Sequence, residues 1–306
     1  MTLNLKNQHI QNNIRKILCV LFCLTALTSC TALIDIDTDD SEPIIVIYGT
    51  ITDELRQQEV QISRSSPYFQ NEPNASISRA IVTIESSDNK TYELFEIDTV
   101  PGLYRSFSPW AVTPGVTYNL KVQVDFDGDG HLDVYTASST VPVKVHTDSI
   151  KLVPMNIMGY KNYAFNIYAP DSPDEDYYLF KYILNDTLAT YKISTYRVAD
   201  DKGINGQYIS GLTIDYLGHI DNWETDSEDQ RKRSIYLKPA DVMILEISSI
   251  PKGYFDFINQ CRREMRGENP IFGGPASNIT TNISNGGCGF FSAYCISQST
   301  AIVPNF

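Results

Sequence analysis

The stretch "IIVIYGTITDELRQQEVQISR", residues 44–64, indicates the fold class of this chain. Its first eight residues are rich in β-branched side chains, which favour strands because they pack well on a pleated surface. Thr52 and Asp53 follow, and both residue types favour a turn. Apolar and polar residues then alternate from Glu59 to Arg64, which is typical of a strand with one buried face. The stretch therefore predicts two neighbouring β-strands joined by a turn.

Similar strand patterns continue toward the C-terminus, and turn residues such as Pro114 and Gly115 separate them. Short strands at this spacing, without a helical segment of comparable length, are typical of antiparallel sandwiches. We therefore predict an immunoglobulin/transthyretin-like β-sandwich domain over residues 43–146. The strand segments that follow the opening stretch are residues 80–85, 92–95, 102–105 and 116–124.

The second half, residues 147–306, is predicted to form a separate β-rich domain, because 306 residues exceed the usual size of one domain. Residues 241–247 have the pattern of a buried strand, whereas the polar run 221–233 favours a loop. One helix is predicted near residues 251–267, where apolar residues recur at helical spacing. The predicted fold class is therefore mainly β, with two sandwich-like domains, the second containing this helix. The apolar face predicted for the helix comprises Tyr254, Phe255, Ile258, Cys261 and Met265.

The tail "NITTNISNGGCGFFSAYCIS", residues 278–297, alternates small residues with large apolar ones. This alternation predicts that the tail packs back on the second domain as terminal strands. Gly286, Gly287 and Gly289 are then expected at turns or where two backbones approach closely, because a larger residue would not fit there. The alternative is that the tail forms an exposed edge that meets a partner protein.

The N-terminal 29 residues have the features of a secretory signal peptide. Basic residues precede an apolar segment, residues 17–27, which is shorter than the roughly 20 residues that a helix needs to cross a bilayer. The motif Leu27-Thr28-Ser29-Cys30 is similar to the bacterial lipobox, whose cysteine becomes acylated at the first mature position. We therefore predict that residues 1–29 are removed and that acyl chains such as palmitate on Cys30 hold the protein in the lipid bilayer. The alternative is an ordinary cleaved signal in which this cysteine is incidental.

Acidic residues dominate the chain. Residues 30–42 contain five of them and no bulky apolar pattern after Ile36, so this segment is predicted to be a solvated tether. The whole chain has 24 basic and 37 acidic residues, a net charge of −13. This balance excludes nucleic acid as a partner, because nucleic-acid binding depends on clustered lysine and arginine.

Three cysteines follow the predicted anchor. Cys288 and Cys295 are the nearest pair in sequence, and they could form a disulfide in an oxidising compartment. Cys261 is predicted to be a buried, unreactive thiol. The cysteines form no C-x-x-C motif and no histidine lies near them at ligand spacing, so a structural zinc site is not expected.

An ordered set of segments resembles a known family across nearly all of the predicted mature chain. The set consists of the lipobox, "DID", "IIVIYGTITDE", "SRAIVTIESSDNKTYEL", "PGLYRS", "GVTYNLKV" and "PASNITTNISNGGCGFFSAY". It is similar to the DUF4249 family of Bacteroidetes lipoproteins. Members of that family are typically encoded beside SusC-type TonB-dependent transporters. The resemblance therefore implies an outer-membrane lipoprotein, facing the cell exterior, with an accessory role in nutrient uptake, and it supplies no catalytic residues.

The segment "DFDGDGHLD", residues 125–133, has the spacing of a calcium-binding loop. Three aspartates occupy positions 1, 3 and 5 of a D-x-D-x-D-G pattern, and the residue at position 7 can offer its backbone carbonyl. Position 12 is Thr136 in place of the glutamate of an EF-hand, so a carboxylate at position 9 would have to close the site. An acidic hairpin tip that needs no metal is the alternative. The predicted calcium ligands are Asp125, Asp127, Asp129, His131 and Asp133.

The sequence gives little support to an enzyme. It contains no H-E-x-x-H motif, no G-x-S-x-G motif and no conspicuous pairing of cysteine with histidine. The preferred hypothesis is a non-catalytic surface lipoprotein that captures a ligand for a TonB-dependent transporter. The alternative is a calcium-stabilised structural or adhesive lipoprotein. The ligand itself has no signature in the sequence.

Overall fold

Strands dominate the computed structural model, which describes residues 43–65, 75–190, 192–265 and 279–306. Residues Pro43–Phe306 belong to one compact unit. Within the described residues, no helix is long and apolar enough to span a membrane. The helices are α1 (Glu228–Arg233) and α2 (Lys252–Met265), with 3₁₀ turns at Ile193–Thr195 and Ile220–Asn222. The strands are β1 (Ile45–Thr52), β2 (Glu59–Arg64), β3 (Ala75–Ser76), β4 (Ile81–Ser86), β5 (Thr91–Ile97), β6 (Val100–Ser106), β7 (Thr117–Val124), β8 (Asp133–Thr140), β9 (Ser149–Ile157), β10 (Tyr160–Pro170), β11 (Tyr177–Leu184), β12 (Thr187–Leu188), β13 (Arg197–Asp200), β14 (Tyr208–His219), β15 (Tyr236–Leu237), β16 (Val242–Ser249) and β17 (Cys288–Ile302).

A large sheet of 13 strands runs through the described part of the chain, and β17 is one of its interior strands. Its order is β12-β11-β16-β17-β1-β2-β6-β5-β4-β7-β8, and β13 and β3 pair with β11 and β2. β1 and β2 pair antiparallel with Ile47 opposite Ile62, so the strand pair predicted from residues 44–64 is confirmed. β17 pairs antiparallel with β16 and parallel with β1. The C-terminal strand therefore joins the two halves of the chain in one sheet.

The part of this sheet from β17 to β8 surrounds an apolar core. Alternate residues of each strand supply the core, as Ile45, Ile47 and Ile51 do on β1. The edge strand β8 lies beside the segment before β17, because Ser284 N donates a hydrogen bond of 2.9 Å to the carbonyl oxygen of Thr136. The predicted mainly β, sandwich-like fold class is confirmed. The immunoglobulin/transthyretin-like description of residues 43–146, and the boundary after residue 146, stay predictions.

The second half adds a layer to each face of β11 and β16. A four-stranded sheet in the order β15-β14-β10-β9 covers one face, where the ring centroids of Phe165 and Tyr182 lie 5.4 Å apart. Helix α2 covers the other face and packs on Phe290 and Tyr294 of β17. The two faces separate cleanly because successive side chains of a strand point to opposite sides.

Helix α2 confirms the helix predicted near residues 251–267, but its buried face differs from the predicted one. Phe257 is buried, Phe255 is only partly buried and Met265, the last helical residue, is 64% exposed. Helical phase selects the residues of one face but does not tell how far the neighbouring layer extends along the helix. The predicted loop at 221–233 is also corrected, since it contains α1, which Ser227 caps by accepting a hydrogen bond from Gln230 N at 3.3 Å.

The C-terminal tail forms strand β17, as predicted, but the predicted packing on the second domain alone is corrected, because β17 pairs with β1 of the first half as well as with β16. Phe291 and Ala293 of β17 face the first core, whereas Phe290 and Tyr294 face helix α2. Gly289 has φ +99° and lies so close to β1 that an added Cβ would be 2.1 Å from the carbonyl oxygen of Ile47. The expectation of a close backbone approach is therefore confirmed at this glycine.

Candidate functional site

The acidic segment 125–133 forms the tip of the β7–β8 hairpin, where Val124 pairs with Asp133. One carboxylate oxygen from each of Asp125, Asp127 and Asp129 lies within 4.8 Å of the others. The backbone turns tightly around these side chains. Gly128 N and Gly130 N donate hydrogen bonds of 2.8 and 3.1 Å to the carboxylate of Asp125. The first three predicted ligands are thus brought together in an exposed loop.

The two remaining predicted calcium ligands are placed differently. Asp133 accepts a hydrogen bond of 3.3 Å from Phe126 N, and its carboxylate is not one of the three clustered groups. His131 N donates to Asp129 at 2.7 Å. The donor set of the cluster consists of oxygen atoms, which suits calcium. Calcium binding by this loop stays a prediction.

The predicted disulfide between Cys288 and Cys295 is corrected. Cys261, Cys288 and Cys295 are free thiols, so the predicted disulfide is not formed. Cys288 and Cys295 lie seven residues apart on the single strand β17, which separates their Cα atoms by roughly 23 Å. A disulfide needs a separation below about 7 Å. Cys30 lies outside the described residues, so its lipidation stays a prediction from the sequence.

The surroundings of the buried thiols and of the buried histidine indicate structural roles for these side chains. Burial raises the pKa of Cys261 to about 11 and that of Cys295 to about 12. Neither thiol is therefore a thiolate at neutral pH, and a neutral thiol is a poor nucleophile. His219 Nδ1 accepts a hydrogen bond of 3.1 Å from Asp221 N and so caps a 3₁₀ turn.

A cleft of about 400 Å³ opens between the β11–β13 edge of the large sheet and strand β14 of the small sheet. The sequence did not predict it, because its residues are contributed by segments far apart in the chain. Short hydroxyl side chains, Thr190, Ser194 and Ser234, line part of its wall. Its charged residues are Arg197, Asp215 and Lys232.

Asp215 holds the guanidinium of Arg197 at the wall of this cleft. Arg197 Nε donates to Asp215 Oδ2 at 2.8 Å, and the same oxygen accepts a hydrogen bond of 3.2 Å from the hydroxyl of Tyr182. Tyr216 N donates to the second oxygen of Asp215 at 2.8 Å. Both oxygens of the carboxylate thus accept hydrogen bonds, while the two terminal nitrogens of Arg197 have no hydrogen-bond or ion-pair partner among the described residues.

The protonation states of this group are well defined. Burial, followed by the charge of Asp215, raises the pKa of Tyr182 well above its ordinary value, so this hydroxyl is neutral and donates at neutral pH. For Arg197, burial lowers the pKa and the hydrogen bond to Asp215 raises it, with a net upward direction. Arg197 therefore stays charged. A fixed guanidinium beside neutral hydroxyls can bind a carboxylate or the hydroxyls of a polar ligand.

Comparison with known families covers most of the chain. A family model described as "Domain of unknown function (DUF4249)" matches residues 31–300. No curated protein matches the chain.

Proposed function

The chain belongs to the DUF4249 family, and we propose that it is a non-catalytic outer-membrane lipoprotein that captures a ligand for a SusC-type TonB-dependent transporter. In this proposal, acyl chains on Cys30 anchor the protein in the bilayer. The acidic segment 30–42 tethers the folded unit, which begins at Pro43, on the outer face of the cell. The genomic association that the family resemblance implies supports the choice of partner.

The single observation that carries ligand capture is the cleft at Arg197. Its volume of about 400 Å³ lies within the usual range of small-molecule sites. Asp215 orients Arg197 through Nε. The two terminal nitrogens of the guanidinium can therefore donate hydrogen bonds to a ligand. The wall hydroxyls add neutral donors and acceptors. The ligand class that fits this chemistry is a polar molecule that carries a carboxylate or several hydroxyls.

The proposed partnership predicts that the protein purifies together with a transporter. Tagged full-length protein, extracted from membranes with a mild detergent, is expected to recover one large outer-membrane protein in near-stoichiometric amount. The Cys30→Ser variant serves as the matched control, because it keeps the folded unit and loses the predicted anchor. Recovery of the anchored protein alone, across several detergents, would count against the accessory role.

A calcium-stabilised structural or adhesive lipoprotein is the second candidate function. The observation that favours it is the convergence of Asp125, Asp127 and Asp129, whose carboxylate oxygens lie within 4.8 Å of one another. A cation there would relieve the repulsion between these like charges. It would also stiffen the β7–β8 hairpin.

Calcium binding by the loop at residues 125–133 can be tested separately. Asp127→Ala combined with Asp129→Ala is expected to remove the share of calcium-dependent stabilisation that this loop provides, because a ligand that binds only the native state raises the melting temperature by mass action. Melting curves of the wild type and the variant, each in EDTA and in millimolar calcium, measure this share. If the two proteins respond to calcium equally, the hairpin tip binds no metal.

A further inference from the structure

A second group of carboxylates lies in the other half of the molecule, where two loops meet. Asp171 and Asp176 belong to the loop between β10 and β11, and Asp201 begins the loop between β13 and β14. Antiparallel pairing of β11 with β13 places Tyr177 opposite Asp200 and so brings the loops together. One carboxylate oxygen from each aspartate lies within 4.8 Å of the other two.

Asp201 is the member that distinguishes this cluster from an ordinary acidic surface. It is only 1% exposed. Its Oδ2 atom accepts a hydrogen bond of 3.1 Å from Asp176 N. Its Oδ1 atom is buried and has no hydrogen-bond partner among the described residues. A buried carboxylate oxygen without a donor is costly, and native structures usually provide a partner for such an atom.

The donors around the cluster are electrically neutral. Asp171 accepts hydrogen bonds from the Tyr178 hydroxyl at 2.8 Å and from Gly206 N at 3.0 Å. Asp176 accepts one of 2.6 Å from the Ser172 hydroxyl. These bonds orient the carboxylates, but they do not neutralise three negative charges.

The nearest lysine in sequence pairs elsewhere. Lys202 Nζ lies 3.7 Å from Glu175 and 3.7 Å from Asp200, outside the cluster. The cluster therefore lacks a compensating positive charge in the described part of the molecule.

We infer that Asp171, Asp176 and Asp201 bind a divalent cation, with calcium as the best match, and that this cation ties the β10–β11 loop to the β13–β14 loop. All available ligand atoms are oxygens, which hard cations prefer, and calcium accepts irregular geometry more readily than magnesium does. The buried carboxylate of Asp201 supplies a ligand oxygen, and its Oδ1 atom has no hydrogen-bond partner among the described residues. This site is separate from the loop at 125–133 and does not depend on the proposed transporter partnership.

The test uses a protein in which the other acidic loop cannot contribute. In the Asp127→Asn, Asp129→Asn background, stripped with EDTA, isothermal titration with calcium chloride is expected to show one site and a raised melting temperature. Adding Asp171→Asn and Asp176→Asn to this background is expected to weaken calcium binding at least about tenfold, because ligand charge sets the affinity of such sites. Asp174→Asn is the matched control, since Asp174 is an exposed carboxylate on the same loop and outside the cluster.

Melting temperatures distinguish a variant that has lost the calcium site from one that no longer folds. In EDTA, the Asp171→Asn, Asp176→Asn variant is expected to melt at the same temperature as its background or higher, because fewer like charges then repel one another. Calcium that neither binds to the background protein nor raises its melting temperature overturns the inference, since a proton then serves as the counter-charge. Equal calcium affinity in the Asp174→Asn variant and the Asp171→Asn, Asp176→Asn variant overturns it as well.

Discussion

Replacing Gly289 with alanine is expected to lower the free energy of unfolding by about 3 kcal/mol or more. Two effects add at this position. The backbone φ of +99° is unfavourable for a residue with a Cβ, at about 1–2 kcal/mol. The new methyl group would also lie 2.1 Å from the carbonyl oxygen of Ile47, which forces β17 away from β1 and adds about 1–3 kcal/mol of overpacking.

Gly286 offers a matched control three residues away. Its φ is +72°, so alanine meets a comparable backbone penalty, but nothing lies within 4 Å of the added Cβ. Gly286→Ala is therefore expected to lose only about 1–2 kcal/mol. Urea unfolding followed by circular dichroism measures both variants. Equal losses would mean that the contact with β1 does not matter and that backbone conformation alone explains the glycine.

Replacing Cys30 with serine is expected to abolish incorporation of labelled palmitate and to remove the protein from the outer-membrane fraction. Serine presents no thiol to acylate, and stable attachment depends on the acyl chains, each buried CH₂ contributing about 0.8 kcal/mol. The net charge of −13 also disfavours adsorption to anionic lipid. We expect the amount in carbonate-washed outer membranes to fall by more than about tenfold.

Cys23→Ser is the matched control for this experiment. Cys23 lies within the apolar segment 17–27, which is predicted to leave with the signal peptide, so its loss should change neither labelling nor location. Retention of label and of outer-membrane location in the Cys30→Ser variant would show that the lipobox assignment is wrong.

Several elements of the fold could be predicted from the sequence because strand and helix periodicity are local. The alternating residues of β2 and the β-branched run of β1 predicted their structure without reference to the rest of the chain. Helix α2 was placed in the same way. The prediction of its buried face was less accurate, because the exposure of Met265 depends on where the strands beneath the helix end.

The candidate sites also differ in whether local sequence is enough to predict them. The cluster of Asp125, Asp127 and Asp129 could be found from sequence, since one short loop contains all three carboxylates. The cluster of Asp171, Asp176 and Asp201 could not, because pairing of β11 with β13 brings Asp201 to residues 25 or more positions away. The cleft at Arg197 likewise depends on segments distant in sequence, because it forms where β14 of the small sheet packs beside the large sheet.

The sequence by itself determined that the chain is mainly β, where several of its strands and its long helix lie, and which loop carries the first acidic cluster. Only the tertiary structure decided that the last strand, β17, stands between β16 and β1, that Cys288 and Cys295 stay apart, and that Asp201 is buried beside two other carboxylates. The reason is physical. Side-chain alternation specifies which face of a strand is buried, but the identity of its neighbours follows from packing between segments that are distant in sequence.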